Sequence, residues 1–344
     1  MRLALLVPAP FDAVSGGYAY DRRMVAGLCA AGHKVDVIEL AGQHPLADDA
    51  ARQSAVAAWA ALAPDAMPII DGLGLPAFGE LSDALATRPT VGLIHHPTAL
   101  ETGFTEDERE RLRAAERRLM PLLSRVIVTS EPTAERLVAD FGVQHARISV
   151  VVPGTGDAPR RMPSSNDPCH VLSIGTLVPR KGHDVLLRAL SGLPDLNWQL
   201  TIAGAPDRDA VHANGLRALA EDLNIATRVT FAGEVVDAAL EALWQRADIF
   251  ALATHWEGYG MAIAEALKRG IPVAITAGGA AGALVPPEAG AVCPPGDVEQ
   301  LSKALRRIIF GKDLRAYLAE NAWHAGQALP SWDDQSRAFA AALA

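Results

Sequence analysis

At 344 residues, half of them apolar, the chain is longer than one hydrophobic core usually organises and reads as two globular domains. Forty acidic residues against 31 basic ones give a formal charge of −9, which excludes general affinity for nucleic acid, because neutralising its phosphates takes a Lys/Arg surplus. Cys29, Cys169 and Cys293 are widely spaced in apolar contexts with no C-x-x-C pair, so buried reduced thiols are expected rather than a disulfide or a zinc site.

The opening MRLALLVPAP has a single Arg and an apolar run broken by Pro8 and Pro10, with no small-residue cleavage site behind it. A buried first strand is expected there, not a signal peptide. No apolar run approaches the ~18–20 residues of a bilayer span, so a cytoplasmic protein is expected. The strand is followed by a loop with Gly16 and Gly17, a helix, and KVDVIEL as a second strand. The loop lacks the G-x-G-x-x-G spacing of a dinucleotide fingerprint, which makes a dehydrogenase a poor reading. AMPIID, TVGLIH, RVIVTS and ISVVVP complete six strand candidates separated by amphipathic or Ala-rich segments, the pattern of βαβ units on a parallel sheet.

Asp71 and Gly72 close the third strand without an assignable role. The fourth delivers His95 and His96 to its carboxyl end. Neighbouring residues on a strand end point apart and no third ligand is apparent, so no metal is expected. The stretch from Thr105 to Leu123 interleaves five Arg with five acidic residues and reads as a solvated, salt-bridged helix; peripheral membrane contact is its alternative reading. Residues 1–153 thus form a first domain. The Pro-, Gly- and Ser-rich 154–168 form a linker, 169–328 a second domain, and 329–344 a terminal helix that is a candidate to pack back on the first.

In the second domain the strand candidates are HVLSIGT, WQLTIAG, RVTFAG, DIFALAT, IPVAIT and GAVCPP, with helices between. After the first of these, Arg180 and Lys181 stand at a helix start beside Gly175 and Gly182. Positive charge is locally unfavourable there, so an anion would explain it. Asp207 and Asp209 are read as a helix cap and solvent charge. In THWEGYGMAIAEALKRGIPV, Glu257 lies in a Gly-rich loop and Glu265 about one turn into the helix that starts near Gly260. Backbone amides and the helix macrodipole suit a diphosphate, while carboxylates accept hydrogen bonds from sugar and ribose hydroxyls. The pattern brackets a nucleotide sugar.

With its two glutamates separated by seven residues in the order strand, Gly loop, helix, LKRG, IPV, the sequence resembles glycosyltransferase family 4 of the GT-B fold. The resemblance implies an α/β architecture of two Rossmann-like, doubly wound domains facing a central cleft. It implies a retaining hexosyltransferase that uses a nucleoside diphosphate sugar, UDP- or GDP-linked, and a hydroxyl acceptor, with no metal or other cofactor. Lys181 would clamp the diphosphate, with Arg180 substituting for the Arg that the family usually places where Thr176 stands. Glu257 would bind sugar hydroxyls and Glu265 the ribose. Gly258, Tyr259, Gly260 and Met261 would meet sugar and phosphate, and Gly233 with Glu234 the nucleobase. Gly16 and Gly17 would let phosphate or acceptor approach the backbone. His95 would contact the donor sugar, and Tyr18, His96 and Glu101 would line the acceptor side. An epimerase or hydrolase of the same fold, or a nucleotide-sugar-binding protein without turnover, are the alternatives.

Overall fold

The computed structural model describes residues 1–162 and 168–344; positions 163–167 of the expected linker lie outside the described residues. In chain order the first series is β1 (Arg2–Pro8), α1 (Gly16–Ala30), β2 (Lys34–Leu40), α2 (Asp49–Ala60), β3 (Ala66–Asp71), α3 (Ser82–Thr87), β4 (Val91–Ile94), α4 (Glu106–Leu119), β5 (Arg125–Val128), α5 (Glu131–Phe141) and β6 (Ile148–Val150). The second is β7 (Cys169–Ile174), α6 (His183–Ser191), β8 (Trp198–Ala203), α7 (Ala210–Asp222), β9 (Val229–Gly233), α8 (Asp237–Arg246), β10 (Ile249–Leu252), α9 (Met261–Lys268), β11 (Val273–Thr276), β12 (Gly290–Cys293), α10 (Val298–Phe310), α11 (Lys312–Gln327) and α12 (Trp332–Leu343).

Contacts divide the chain into one unit of Met1–Gly154 with Pro330–Ala344, and a second of Thr155–Leu329. Each unit holds one six-stranded parallel sheet, ordered β2-β1-β3-β4-β5-β6 in the first and β12-β11-β10-β7-β8-β9 in the second. These are the two doubly wound orders, and the order reverses between β1 and β3 in one sheet and between β7 and β10 in the other.

Both sheets are covered on both faces, so their central strands read as near-continuous apolar runs, whereas the edge strand β2 alternates, with Lys34 and Glu39 exposed. Along β1, Leu3, Leu5 and Val7 join one buried cluster while Ala4 and Leu6 join another, the alternation that a pleated strand imposes. β7 and β10 split likewise, Val171, Ile249 and Ala251 to one side, Leu172, Phe250 and Leu252 to the other. α12 completes the first unit: Phe339 and Leu343 are buried with Tyr20, Met24 and Leu28 of α1. α1 and α12 come close because Gly27 has no Cβ, which would run into the Ser336 side chain.

Two details differ from the sequence reading. Cys29 is exposed, because it lies one position off the buried Met24–Leu28 face of α1; Cys169 and Cys293 are buried, and all three thiols are free. Between β11 and β12 the expected helix is only a short 3-10 turn, Ala281–Leu284.

Candidate functional site

In the second unit, the order reversal places the carboxyl ends of β7 and β10 side by side. The chain beyond β7 turns through a 3-10 turn at Pro179–Lys181 to reach α6, and the chain beyond β10 runs through Thr254–Gly260 to reach α9. The two loops are tightly apposed. Gly182 sits at φ +63° with no Cβ to strike the Ala253 carbonyl oxygen, and His255 N–H donates to the Arg180 carbonyl at 2.8 Å. Gly278 and Gly279 let the loop after β11 lie against the Glu257 backbone, which donates to Gly278 O at 3.1 Å and accepts from Ala280 N–H at 2.9 Å.

This apposition joins residues 76 positions apart. Lys181 Nζ donates to Glu257 Oε1 at 2.6 Å, and Arg180 Nη1 lies 3.7 Å from the same oxygen while donating to the Trp256 carbonyl at 2.7 Å. Thr254 Oγ1 is 3.1 Å from Glu257 Oε1. Burial pushes the Glu257 carboxyl up, but the charges of Lys181 and Arg180, with the hydrogen bonds from Lys181 and Thr254, outweigh it and hold the group below the usual carboxylate range. The Lys181 stem lies over Gly175, where a Cβ would meet its Cδ at 3.1 Å. Behind it His183 is wholly buried, 3.3 Å from the Gly175 carbonyl through Nε2, and burial drives its pKa down to about 4, so it is neutral.

Both helices at this corner, α6 and α9, start at a glycine with positive φ, Gly182 and Gly260, and neither start has a side-chain cap. Their first amides and macrodipoles are therefore available to an anion. Met261 opens α9, and Tyr259 just before it is buried, with its hydroxyl pKa pushed up to about 12 by that burial. Thr176 follows Gly175 directly, and hydrogen bonds from Gly175 N–H to Ala203 O (2.9 Å) and Gly204 N–H to Gly233 O (2.8 Å) extend the sheet edge toward Gly233 and the exposed Glu234. Glu265 is half-buried on α9. Burial raises its carboxyl, with Arg269 opposing and Glu241 adding, and Arg269 itself pairs with Glu241 at 2.6 Å. No hydrogen bond or ion pair joins Glu265 to Lys181 or Glu257 among the described residues.

In the first unit, Gly16 and Gly17 open α1, whose N-terminus is capped by Ser15 accepting from Tyr18 N–H. The space left by Gly17 is filled by His95: a Cβ there would lie 3.3 Å from the ring. His95 Nε2 is 2.8 Å from Asp21 Oδ1 and 3.8 Å from Asp71 Oδ2. Asp21, Asp71 and His95 thus bring three potential ligand atoms within 4.8 Å of one another; the sequence reading paired His95 with His96, whereas the cluster leaves His96 out and takes Asp21 from α1 and Asp71 from β3. Tyr18 is in the core, its hydroxyl donating to Pro8 O at 2.9 Å, and Tyr20 likewise donates to Val151 O; burial explains why neither ring lies open to an acceptor. His96 is half-buried, and Glu101 accepts from Thr102 N–H at 3.1 Å.

Glu116 on α4 departs from the solvated-helix reading. It is buried, and its carboxylate accepts from Thr98 N–H (2.7 Å), Thr98 Oγ1 (2.8 Å) and Ala99 N–H (3.1 Å), anchoring the loop that follows His95 and His96. Asp21 and Glu116 are the residues that sequence reasoning missed. Asp21 had a signal: three before Met24 and seven before Leu28, it falls on the apolar face of its helix.

Residues 157–324 match the family described as Glycosyl transferases group 1, and residues 15–156 match Glycosyltransferase Family 4. The chain is 35% identical over 180 residues to D-inositol 3-phosphate glycosyltransferase of Mycobacterium sp. (strain KMS), covering 49% of this chain and 40% of that one. It spans about half the length of the curated relatives it matches. Its fold is similar to sucrose-phosphate synthase from Thermosynechococcus elongatus, with a TM-score of 0.82 at 21% identity over 99% and 98% of the two chains. It is similar also to the Anabaena protein HepE in complex with UDP-glucose, with a TM-score of 0.80 at 19% identity over 99% of each. With one glycosyltransferase domain running directly into the next, the chain belongs to the GT-B glycosyltransferases of the family 4 type.

Proposed function

We propose that the chain transfers a hexosyl group from a nucleoside diphosphate sugar to a hydroxyl acceptor, with retention at the anomeric carbon and without a metal. The observation that carries this reading is the Lys181–Glu257–Arg180 cluster at the order reversal of the second sheet, flanked by two uncapped helix starts. The barrier to such a transfer lies in expelling the diphosphate, so charge must be neutralised where it develops. Lys181, Arg180 and the amides opening α6 and α9 supply that neutralisation. The guanidinium of Arg180, which can grip two phosphate oxygens at once, stands in for the cation missing at Thr176. Glu257, ionised and held by Lys181, accepts from sugar hydroxyls, and Glu265 takes the ribose.

In the transfer, the bond from the anomeric carbon to the diphosphate oxygen breaks as the acceptor oxygen bonds on the same face, and the acceptor proton passes to the departing phosphate. The complex of HepE with UDP-glucose supports testing uridine donors first. Screening UDP-, GDP- and ADP-sugars by calorimetry, then profiling hydroxyl acceptors with the donor that binds, tests the reading. Lys181→Ala and Glu257→Gln should each cut transfer by roughly 10²–10³-fold with the circular dichroism spectrum unchanged. Full turnover in either variant removes the assignment. Activity that survives EDTA, and a product anomeric coupling matching the donor, are the outcomes expected for metal independence and retention.

A further inference from the structure

Each sheet has one place where the strand order reverses, and in an α/β sheet a ligand crevice opens there, at the carboxyl ends of the strands. In the second unit that place is the anion site around Lys181. The first unit has its counterpart between β1 and β3, bordered by the stretches 9–15 and 72–81, with 95–105 after β4 next in order. The two crevices differ in the charge that surrounds them. After β7 the chain carries Arg180 and Lys181, whereas the stretches that follow β1 to β6, namely 9–15, 41–48, 72–81, 95–105, 129–130 and 151–153, contain neither Lys nor Arg.

A phosphate or carboxylate group is recognised by Arg or Lys, or by the open amides of a helix start. Both sources are engaged within the first unit itself. Arg22, Arg52 and Arg118 reach these stretches from their helices, and each donates to main-chain carbonyls there: Arg22 to Phe11 O (2.6 Å) and Ala13 O (3.2 Å), Arg52 to Ala47 O (2.5 Å), Arg118 to Gly79 O (3.2 Å). The start of α1, beside the crevice, is capped by Ser15, and the His95 ring lies against Gly17. His95 Nε2 is itself directed at Asp21, 2.8 Å away. The charged side chains that the bordering stretches carry are acidic, Asp12, Glu80 and Glu101, and Phe11, Leu73 and Leu100 add partly buried apolar surface. Carboxylates accept hydrogen bonds from hydroxyls and oppose a further anion, while apolar surface suits the C–H faces of a polyol.

We infer that the acceptor taken by the first unit's crevice is an uncharged polyhydroxyl compound, one that brings no phosphate or carboxylate group to this end of the sheet. The inference rests on the transferase reading, in which the anion site of the second unit belongs to the donor and the first unit's crevice is left to the acceptor. What it adds is the chemical class of that acceptor: the phosphates of the reaction arrive with the sugar nucleotide alone.

The test uses the whole chain and matched acceptors, fructose with fructose 6-phosphate and myo-inositol with its monophosphate, assayed with the sugar nucleotide that binds in calorimetry. In each pair that reacts, the uncharged member should be the better acceptor by ~10²-fold or more in kcat/KM. A second measurement needs no turnover. In ¹H–¹⁵N spectra recorded with and without UDP, fructose 6-phosphate added to millimolar concentration should leave the amides of 9–15, 72–81 and 95–105 in place. A saturable shift in those stretches, or a phosphorylated member that is the better acceptor, overturns the inference. If neither member of either pair reacts, the spectra decide it alone. Should no nucleotide bind, the transferase reading fails by itself, and the same titration still reports whether the first unit takes a phosphate.

Discussion

The two units share an architecture and solve opposite electrostatic problems. In the first, buried carboxylates surround a histidine, and α1, α2, α4 and α5 are each capped by their own side chain, from Ser15, Asp48, Thr105 and Ser130. In the second, cations surround a buried glutamate, and the helices that start beside it open on bare glycines. A capped start has spent its amides on the chain itself, whereas an uncapped one keeps them for a ligand. The same βα turn is therefore closed in one unit and open to an anion in the other, and the residue at the cap decides which.

The largest structural effect expected from breaking this contrast is at Gly182. An alanine there takes a left-handed backbone conformation and drives its Cβ into the Ala253 carbonyl, so Gly182→Ala should cost about 2–4 kcal/mol in urea unfolding of the second unit and abolish nucleotide binding by calorimetry. A smaller effect belongs to Asp71, whose carboxyl pKa is raised from 3.8 to about 7, first by burial and then by Asp21, against His95. Between those two values the folded chain keeps a proton that the unfolded chain has lost, so stability falls as pH rises through the window. His95, also raised, adds a fall in the same direction, because its contribution is present below the ordinary histidine pKa and lost as pH passes the folded one. Asp71→Asn should flatten the first part of that fall and stabilise the protein on the order of 1–2 kcal/mol at alkaline pH, read from denaturation curves across the series. The smallest expected effect is at Ser15. Ser15→Ala should cost roughly 0.5–1 kcal/mol and leave nucleotide binding untouched, whereas loss of binding would show that the first unit's helix start also serves the donor.

All twelve strands of the described residues were legible in the sequence, because each is a short apolar run bounded by turns, the central ones buried on both faces. The loops around Lys181 and Glu257 were legible for a related reason: each site residue lies within a few positions of the glycine and helix that place it. Strand order was not, since nothing local distinguishes the two doubly wound arrangements. Nor was the setting of His95, because its partners stand 74 and 24 positions away and meet it only when β3, β4 and α1 pack. Glu116 was hidden by its surroundings in the sequence. Its charged neighbours on α4 read as a wet helix, and only the loop at Thr98 and Ala99 explains why one glutamate turns inward.

The placement of α12 has a consequence for biosynthesis. Phe339 and Leu343 fill the core beside Tyr20 and Leu28, and the Arg125 guanidinium donates to the carbonyls of Ala342 and Ala344. The amino-terminal half therefore leaves the ribosome with an apolar face still uncovered, and keeps it while some 175 intervening residues are translated. The unit made later can finish first, and the unit made first waits for α12.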